Sequence, residues 1–161
     1  MGTTQPALFV SHGAPSLALE DAPARRYLQR LAEDLPAPRA VLIASAHWET
    51  ESAAVTAASA PETIHDFRGF DPALYEMTYP APGSPEVAER VCAVLARQGF
   101  PCHADPRRGL DHGAWVPLSL AFPSADVPVV QISIQPAEGP AHHHAIGRAL
   151  APLREEGILI I

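Results

Sequence analysis

The sequence predicts an α/β protein with a mostly parallel central sheet and helices on both of its faces. Two short apolar runs, 7–11 and 40–46, lack the polar alternation of a half-exposed strand. Runs of this kind are typical of strands buried on both faces, as in parallel sheets. Segments with helical periodicity at 22–35, 84–98 and 141–156 alternate with such runs, and this alternation favours an α/β architecture.

The first half of the chain contains one predicted helix and one unusually long connection. Pro23 lies in the first turn of the helix over 22–35, and prolines follow its end. A third strand is predicted over 53–58. Residues 60–83 are rich in proline and glycine, and they are too many for an ordinary connection between two elements. Loops of that length in a compact domain are usually functional.

The second half begins with a helix that has clear signals at both ends. Ser84 precedes Pro85 as a helix cap, and Gly99 follows the predicted last turn. Residues 103–114 are expected to be irregular. The remaining predicted elements are a short apolar helix ending near Phe122, a strand over 127–134, a helix over 141–156 and a strand over 158–161.

Length and composition indicate one domain over residues 1–161. The last predicted strand, Ile158 to Ile161, is wholly aliphatic and has no polar tail. Sheets in α/β proteins rarely end on such a strand, because its apolar surface would lack a cover. We therefore interpret the sequence as apparently truncated at the C-terminus, the first portion of a larger domain.

The charge, the apolar segments and the cysteines indicate which partners and which compartment to expect. The formal charge of −7 argues against a nucleic-acid-binding surface, which requires a basic stripe. A charged-then-apolar leader and an apolar stretch of about 18 residues are both lacking, so we expect a cytoplasmic protein with no membrane partner. Cys92 and Cys102 form no recognisable motif, and we expect them to be small buried hydrophobic residues in a reducing compartment.

Two of the apolar runs end on a histidine, His12 and His47. The carboxyl ends of neighbouring parallel strands face one ligand crevice, so these two imidazoles are expected side by side. Small residues beside each histidine leave room for a ligand. The pattern predicts a metal site with His12 and His47 as ligands. Neutral imidazole suits iron, zinc, copper or nickel, so histidine alone does not identify the metal.

Two further histidines, His65 and His112, lie in separate loops, each next to an aspartate. A histidine near neutral pKa is the natural proton donor or acceptor of an active site. We predict both as catalytic residues, with Asp111 fixing the tautomer of His112 through a hydrogen bond. The alternative is that each aspartate caps a turn and each histidine is solvated.

The run His142-His143-His144 has a simpler explanation than a metal site. Consecutive residues of a helix point about 100° apart, so three adjacent side chains cannot converge on one ion. We interpret the run as a solvated helix N-terminus. His103 has no supporting context.

Five short motifs occur together in a recognisable order. Their combination resembles the 4,5-DOPA-dioxygenase-type branch of the LigB-like (class III) extradiol ring-cleavage dioxygenases, and the resemblance spans the whole chain. Each motif alone is weak, but five in register are specific. The motifs are ALFVSHGAP at 7–15, SAHW at 45–48, TIHDFRGF at 63–70, YPAPGS at 79–84 and GLDHGAW at 109–115.

The resemblance implies an enzyme that opens the ring of a catechol with O₂. It makes His12 and His47 two protein ligands of a non-haem Fe(II), for which Zn(II) could substitute in a purified sample. It places His112 beside substrate and dioxygen, and His65 in the wall of the same pocket. Substrate and O₂ are then the partners, and self-association is a further hypothesis.

The resemblance also implies parts that these 161 residues lack. Members of the family continue beyond the equivalent of Ile161 and there supply a His-Asn motif, whose histidine is the catalytic base, and the last metal ligand. We therefore expect the chain alone to be a poor ring-cleaving enzyme. Two alternatives stay open, a type II chelatase that handles tetrapyrroles and a non-catalytic metal-binding fragment. The His-Asp-Phe and Asp-His-Gly loops favour the dioxygenase.

Overall fold

The computed structural model describes residues 3–161, which form a five-stranded sheet with helices on both faces. The strands lie in the order β3-β2-β4-β1-β5, and all pairings are parallel except that of β2 with β4. The predicted fold class, α/β with a mostly parallel sheet, is confirmed. The strands are β1 Ala40–Glu49, β2 Ala53–Thr56, β3 Cys102–Asp105, β4 Val129–Ile134 and β5 Ile158–Ile160.

The helices form two layers, and alternate residues of β1 contact each layer. Val41 and Ile43 pack in the core under α1 and α4, whereas Ala40 and Leu42 pack in the core under α3 and α5. Burial on both faces explains why the run has no polar alternation. The helices are α1 Pro23–Leu31, α2 Pro72–Glu76, α3 Pro85–Arg97, α4 His112–Ala121 and α5 Gly139–Leu150.

The expected buried strand over 7–11 is not present. Only Ala7 forms a bridge, to Ile160, and Leu8 donates its N–H to the same residue at 2.8 Å. β5 has only three residues and so offers little backbone for a longer pairing. The side chain of Phe9 is 99% exposed, because no part of the described chain covers it. The prediction failed because an apolar run becomes a strand only where a partner strand extends beside it.

The segment 103–114, expected to be irregular, begins with strand β3. All four residues of β3 pair in parallel with β2, at the edge of the sheet. The sequence Cys-His-Ala-Asp has no apolar pattern, because its side chains are largely exposed at this edge. The long connection 60–83 likewise contains α2, whose cap Asp71 accepts the N–H of Ala73 at 2.8 Å.

Cys92 on α3 and Cys102 on β3 form a disulfide, with Cα atoms 5.0 Å apart. The expectation that both cysteines are unpaired buried hydrophobic residues was therefore wrong. The packing of α3 against β3 brings the two residues together, which their spacing in the sequence does not reveal. Disulfides are rare in the cytosol, so this pairing does not support the predicted cytoplasmic location. No helix among residues 3–161 combines the length and apolarity needed to cross a bilayer.

The long connection is fixed to the core by Tyr79, whose hydroxyl donates to the carbonyl of Phe122 at 3.1 Å. Burial raises the pKa of Tyr79, and the negative charge of Asp126 raises it further. The hydroxyl therefore ionises less readily in the folded than in the unfolded chain, whose ordinary pKa is 10.0. Its contribution to stability is complete below that pH and is lost as the pH rises above it.

We expect the Tyr79→Phe variant to be less sensitive to alkali than the natural chain. At pH 8 it should lose about 1 kcal/mol of unfolding free energy, for one buried hydrogen bond. Between pH 8 and pH 10.5 it should then lose less stability than the natural chain, measured by urea unfolding. Tyr27→Phe, at an exposed tyrosine, is the control and should show the natural alkaline loss. An equal loss in all three proteins would contradict the prediction.

Candidate metal centre

Three histidines from distant parts of the chain converge near the carboxyl end of β1. Nε2 of His12 lies 3.1 Å from Nε2 of His47. The ring of His112 lies 4.0 Å from that of His47 and 5.0 Å from that of His12, measured between centroids. One nitrogen of each ring lies within 4.8 Å of the others. Within residues 3–161 this is the one group of three or more potential ligands arranged to hold a metal.

His47 is presented by an irregularity in β1. Ala44 pairs with Ile132 of β4, but the next pair joins Glu49 to Ile134, so β1 contains three more residues than β4 over this interval. The two strands meet once more at their ends, where Thr50 donates its N–H to Ile134 at 3.0 Å. Bulges of this kind redirect a side chain out of the strand's normal alternation. The bulge is why His47 is exposed beside the other two rings.

Ser45 and Asp111 hold the bulge in place. The Ser45 hydroxyl accepts the N–H of His47 at 3.2 Å and donates to Oδ1 of Asp111 at 2.6 Å. Arg108 donates to Oδ2 of Asp111 at 2.9 Å, and the side-chain amide of Gln131 donates to the same oxygen. Asp111 is completely buried, so its charge depends on these three donors.

Gly113 allows the start of α4 to approach the bulge. A Cβ at this position would lie 2.3 Å from Oγ of Ser45 and 2.9 Å from Cδ2 of His47. Only glycine leaves room for this contact. The Asp-His-Gly motif therefore has a packing role as well as supplying a histidine.

His112 is held by Asp66 and not, as the sequence suggested, by Asp111. Oδ1 of Asp66 lies 2.7 Å from Nδ1 of His112 and accepts its backbone N–H at 3.1 Å. Burial alone would raise the pKa of Asp66, but the hydrogen bonds from His112 outweigh it and lower that pKa. The prediction failed because the aspartate adjacent in sequence faces β1 and β4 instead.

His65 is close to the centre but outside the group of three. Its Nε2 lies 2.9 Å from the carbonyl oxygen of Met77. Its ring contacts Phe67, Tyr75 and Trp115 at centroid distances of about 6 Å. It thus belongs to an aromatic wall next to the ring of His112, which Phe67 also contacts.

The other histidines lie away from the group. Nε2 of His143 accepts the N–H of Gln135 at 2.9 Å, and Nδ1 of the same ring lies 2.9 Å from the carbonyl oxygen of Gly139. The ring of His142 packs against Phe100 instead. The three consecutive histidines therefore do not converge, although His143 is a structural residue and not a solvated one. His103 is exposed on the edge strand β3.

A largely apolar cavity of about 470 Å³ opens beside His12, the one histidine of the three that lines it. It lies against the exposed side chain of Phe9 and is bounded by the bulge of β1. An aromatic compound with a single ring fits this volume. The residues around it include Val10, Ser11, His12, Ile43, Ala44, Ala46, Ile134 and Ile161.

The residues present fit a transition-metal ion. Two imidazole nitrogens 3.1 Å apart can both contact one ion at about 2.0–2.2 Å. Burial lowers the pKa of His12, and the nearby charges of His112 and His47 lower it further. The neutral imidazole, which is the form that binds a metal, is therefore favoured. Nδ1 of His12 is buried without a partner among the described residues, whereas Nε2 faces His47 and is the nitrogen placed to bind an ion.

The chain resembles known ring-opening dioxygenases along nearly its whole length. The profile of the family described as "Catalytic LigB subunit of aromatic ring-opening dioxygenase" matches residues 6–161. The 4,5-DOPA dioxygenase extradiol of Beta vulgaris is 48% identical over 157 residues, which are 95% of this chain and 59% of that protein. The protein of the same name from Escherichia coli K12 is 47% identical and matches 99% of this chain and 58% of its own length.

A solved structure has the same fold. The crystal structure of the uncharacterized protein JW3007 from Escherichia coli K12 superposes with a TM-score of 0.77 at 40% sequence identity. The match covers 97% of this chain and 58% of that one. The chain thus spans somewhat under three fifths of the length of these relatives.

Proposed function

Because the chain belongs to the LigB family of aromatic ring-opening dioxygenase catalytic subunits, we propose that it acts in the ring opening of a catechol-type substrate by O₂. The proposed enzyme is a non-haem Fe(II)-dependent extradiol dioxygenase. The observation that carries the proposal is the convergence of three imidazoles, one of which, His12, also lines an apolar cavity. Extradiol enzymes named for a catechol, 4,5-DOPA, are 47–48% identical to the chain, which supports a catechol as substrate.

We assign His12 and His47 as metal ligands. Both are neutral-nitrogen donors, which suit Fe(II) and also Zn(II). Zinc binds nitrogen sites more tightly than Fe(II), so a purified sample could contain zinc although iron is the working ion. A bound Fe(II) would supply a Lewis acid and a route for electrons from the ring to O₂.

His112 and His65 are assigned to the substrate side of the site. With Nδ1 of His112 engaged by Asp66, Nε2 is free to hold or move a proton at the reacting centre. His65, Phe67 and Trp115 form an aromatic cluster in which Phe67 packs against the ring of His112 and Trp115 is completely buried. The chain's own contribution is thus to bind the metal, place one proton-carrying imidazole and shape one side of the pocket.

Family membership disfavours the chelatase alternative, and no described contact favours it. The acidic balance of the chain supports a small-molecule partner and not nucleic acid. Three expectations stay predictions: self-association, a cytoplasmic location, and the assignment of residues 1–161 to the N-terminal portion of a catalytic domain.

The test uses 4-nitrocatechol, whose absorption spectrum changes when its hydroxyl groups lose protons or bind a metal. Without oxygen, the Fe(II)-loaded chain should shift this spectrum with a saturable, one-to-one dependence. The metal-free chain and the His47→Ala variant should leave the spectrum unchanged. His103→Ala, at an exposed histidine, is the matched control and should behave as the natural chain. A spectrum that does not respond to the iron-loaded chain would contradict the proposed function.

Turnover by the 161-residue chain is expected to be slow. With catechol and air, the yellow ring-opened product should form about 10²-fold or more slowly than with the Escherichia coli relative. The reason is that these residues contain no His-Asn pair to supply the base, and a positioned base contributes about 10²–10⁴-fold. Turnover at the relative's rate would show that another residue of the chain is the base.

A further inference from the structure

Asp66 makes two hydrogen bonds to one residue through the same oxygen. Its Oδ1 lies 2.7 Å from Nδ1 of His112 and accepts the backbone N–H of His112 at 3.1 Å. The two contacts fix both the backbone and the ring of the histidine. Since an ionised carboxylate only accepts hydrogen bonds, Nδ1 must carry the proton.

The backbone contact also supplies an acceptor to the first N–H of α4. The first N–H groups of a helix have no partner within the helix. Asp111 occupies the capping position of α4, but its side chain makes no capping hydrogen bond because β1, β4 and Arg108 engage it. Asp66 supplies the missing acceptor from a loop 46 residues earlier in the chain.

The loop that carries Asp66 is built to remain in place. Thr63 and Leu110 form a parallel bridge, and Leu110 donates its N–H to Glu62 at 2.8 Å. A Cβ on Gly109 would lie 2.2 Å from the carbonyl oxygen of Glu62, so only glycine allows the two segments to approach this closely. The indole of Trp115 donates to the carbonyl of Ile64 at 3.0 Å. The start of α4 and the Asp66 loop therefore form one unit.

We propose that Asp66 is a positioning residue that holds His112 in the Nδ1–H tautomer and presents its Nε2 lone pair to His12 and His47. Nothing else among the described contacts of His112 selects this tautomer. Without Asp66, the imidazole would be free to rotate and to adopt the Nε2–H form that free histidine prefers. An Nε2–H group would point a proton, not a lone pair, at the centre. That the tautomer matters for ring opening rests on the proposed function; the tautomer itself does not.

The experiment measures the tautomer directly in the metal-free chain. Nitrogen-15 NMR of the imidazole side chains at pH 8 distinguishes the two neutral forms, and His112→Ala identifies the signal. The natural chain should show His112 in one form, protonated at Nδ1. In Asp66→Ala the same ring should show the averaged nitrogen shifts of a mixture. In Asp66→Asn, whose amide oxygen can accept both hydrogen bonds, the natural form should return.

Asp71→Ala is the matched control, because it removes a capping aspartate from the same long connection without touching His112. It should leave the His112 signal unchanged. An Nε2–H form in the natural chain, or an Nδ1–H form that persists unchanged in Asp66→Ala, would overturn the proposal.

A rate measurement then separates this inference from the proposed function. With Fe(II), catechol and air, Asp66→Ala should be about 10–100-fold slower than the natural chain, and Asp66→Asn close to it. A natural rate in Asp66→Ala would overturn the role in ring opening while leaving the tautomer assignment intact. A natural chain that does not respond to catechol at all would contradict the proposed function, and the NMR result would still decide the role of Asp66.

Discussion

The His47→Ala and His12→Ala variants are each expected to lose tight metal binding while keeping the fold. Nε2 atoms 3.1 Å apart would let both rings bind the same ion, so on the proposed assignment each variant loses one of the two ligands. We expect the affinity for Zn(II) to fall about 10²-fold or more, equivalent to about 2.7 kcal/mol. Isothermal titration of the metal-free chain measures the affinity, and circular dichroism checks the fold. His47 is exposed, so its truncation should disturb the core little.

His103→Ala is the control, because it removes an imidazole from the exposed edge strand β3. It should bind Zn(II) as the natural chain does. Natural affinity in both His12→Ala and His47→Ala would remove the metal assignment.

The His112→Ala variant distinguishes the two roles open to the third imidazole. If His112 serves substrate or oxygen, as proposed, the variant should keep the metal affinity and lose about 10² in turnover rate. A fall in affinity matching that of His47→Ala would make His112 a ligand instead.

The fold was predictable where local signals and burial agree. The apolar run at 40–46 became the core of β1 because helices cover both of its faces. Ser84 caps α3 by accepting the N–H of Val87 at 3.2 Å, and Gly99 follows the helix with a φ of 80°. These features depend on residues within a few positions of one another, which is why the sequence alone indicates them.

The parts that failed depend on what lies beside a segment. Residues 7–11 have the composition of a buried strand but find only one bridge partner on β5. β3 has no apolar pattern, yet it pairs along its whole length because β2 offers a free edge. The disulfide between Cys92 and Cys102 depends on how α3 packs against β3. Partners of this kind are set by tertiary structure, which periodicity does not encode.

The candidate site, like the fold, could be predicted from the sequence only in part. His12 and His47 could be placed together because both follow apolar runs, although the run before His12 forms one bridge and no strand. The partner of His112 was misassigned, because Asp66 and Asp111 each adjoin a histidine and the sequence does not say which hydrogen bond forms. One signal in the sequence pointed to the true partner of Asp111. Gln131 is a polar residue inside the apolar strand β4, and a buried polar side chain requires a hydrogen-bond partner. That partner is Asp111.

Asp111→Ala is expected to have the largest effect on stability of any single change at the site. The carboxylate is completely buried and accepts hydrogen bonds from Ser45, Arg108 and Gln131. Its removal leaves these donors without an acceptor and leaves the partly buried guanidinium of Arg108 without its counter-charge. Breaking a buried pair from one side costs about 3–5 kcal/mol. A domain of this kind is stable by only about 5–15 kcal/mol, so the variant should be close to unfolding.

Urea unfolding of the metal-free chain measures the loss, and two further variants calibrate it. Asp21→Ala removes an equally charged side chain from an exposed ion pair with Arg26, and it should cost less than about 1 kcal/mol. Ser45→Ala removes one donor and leaves Asp111 with two, so about 1–1.5 kcal/mol is expected. This milder variant keeps the prediction testable if Asp111→Ala does not fold. The ordering follows from burial alone, because an exposed carboxylate retains water as a partner and the buried one does not. If Asp111→Ala cost no more than Asp21→Ala, Asp111 could not be what holds the bulge of β1 and, through it, His47.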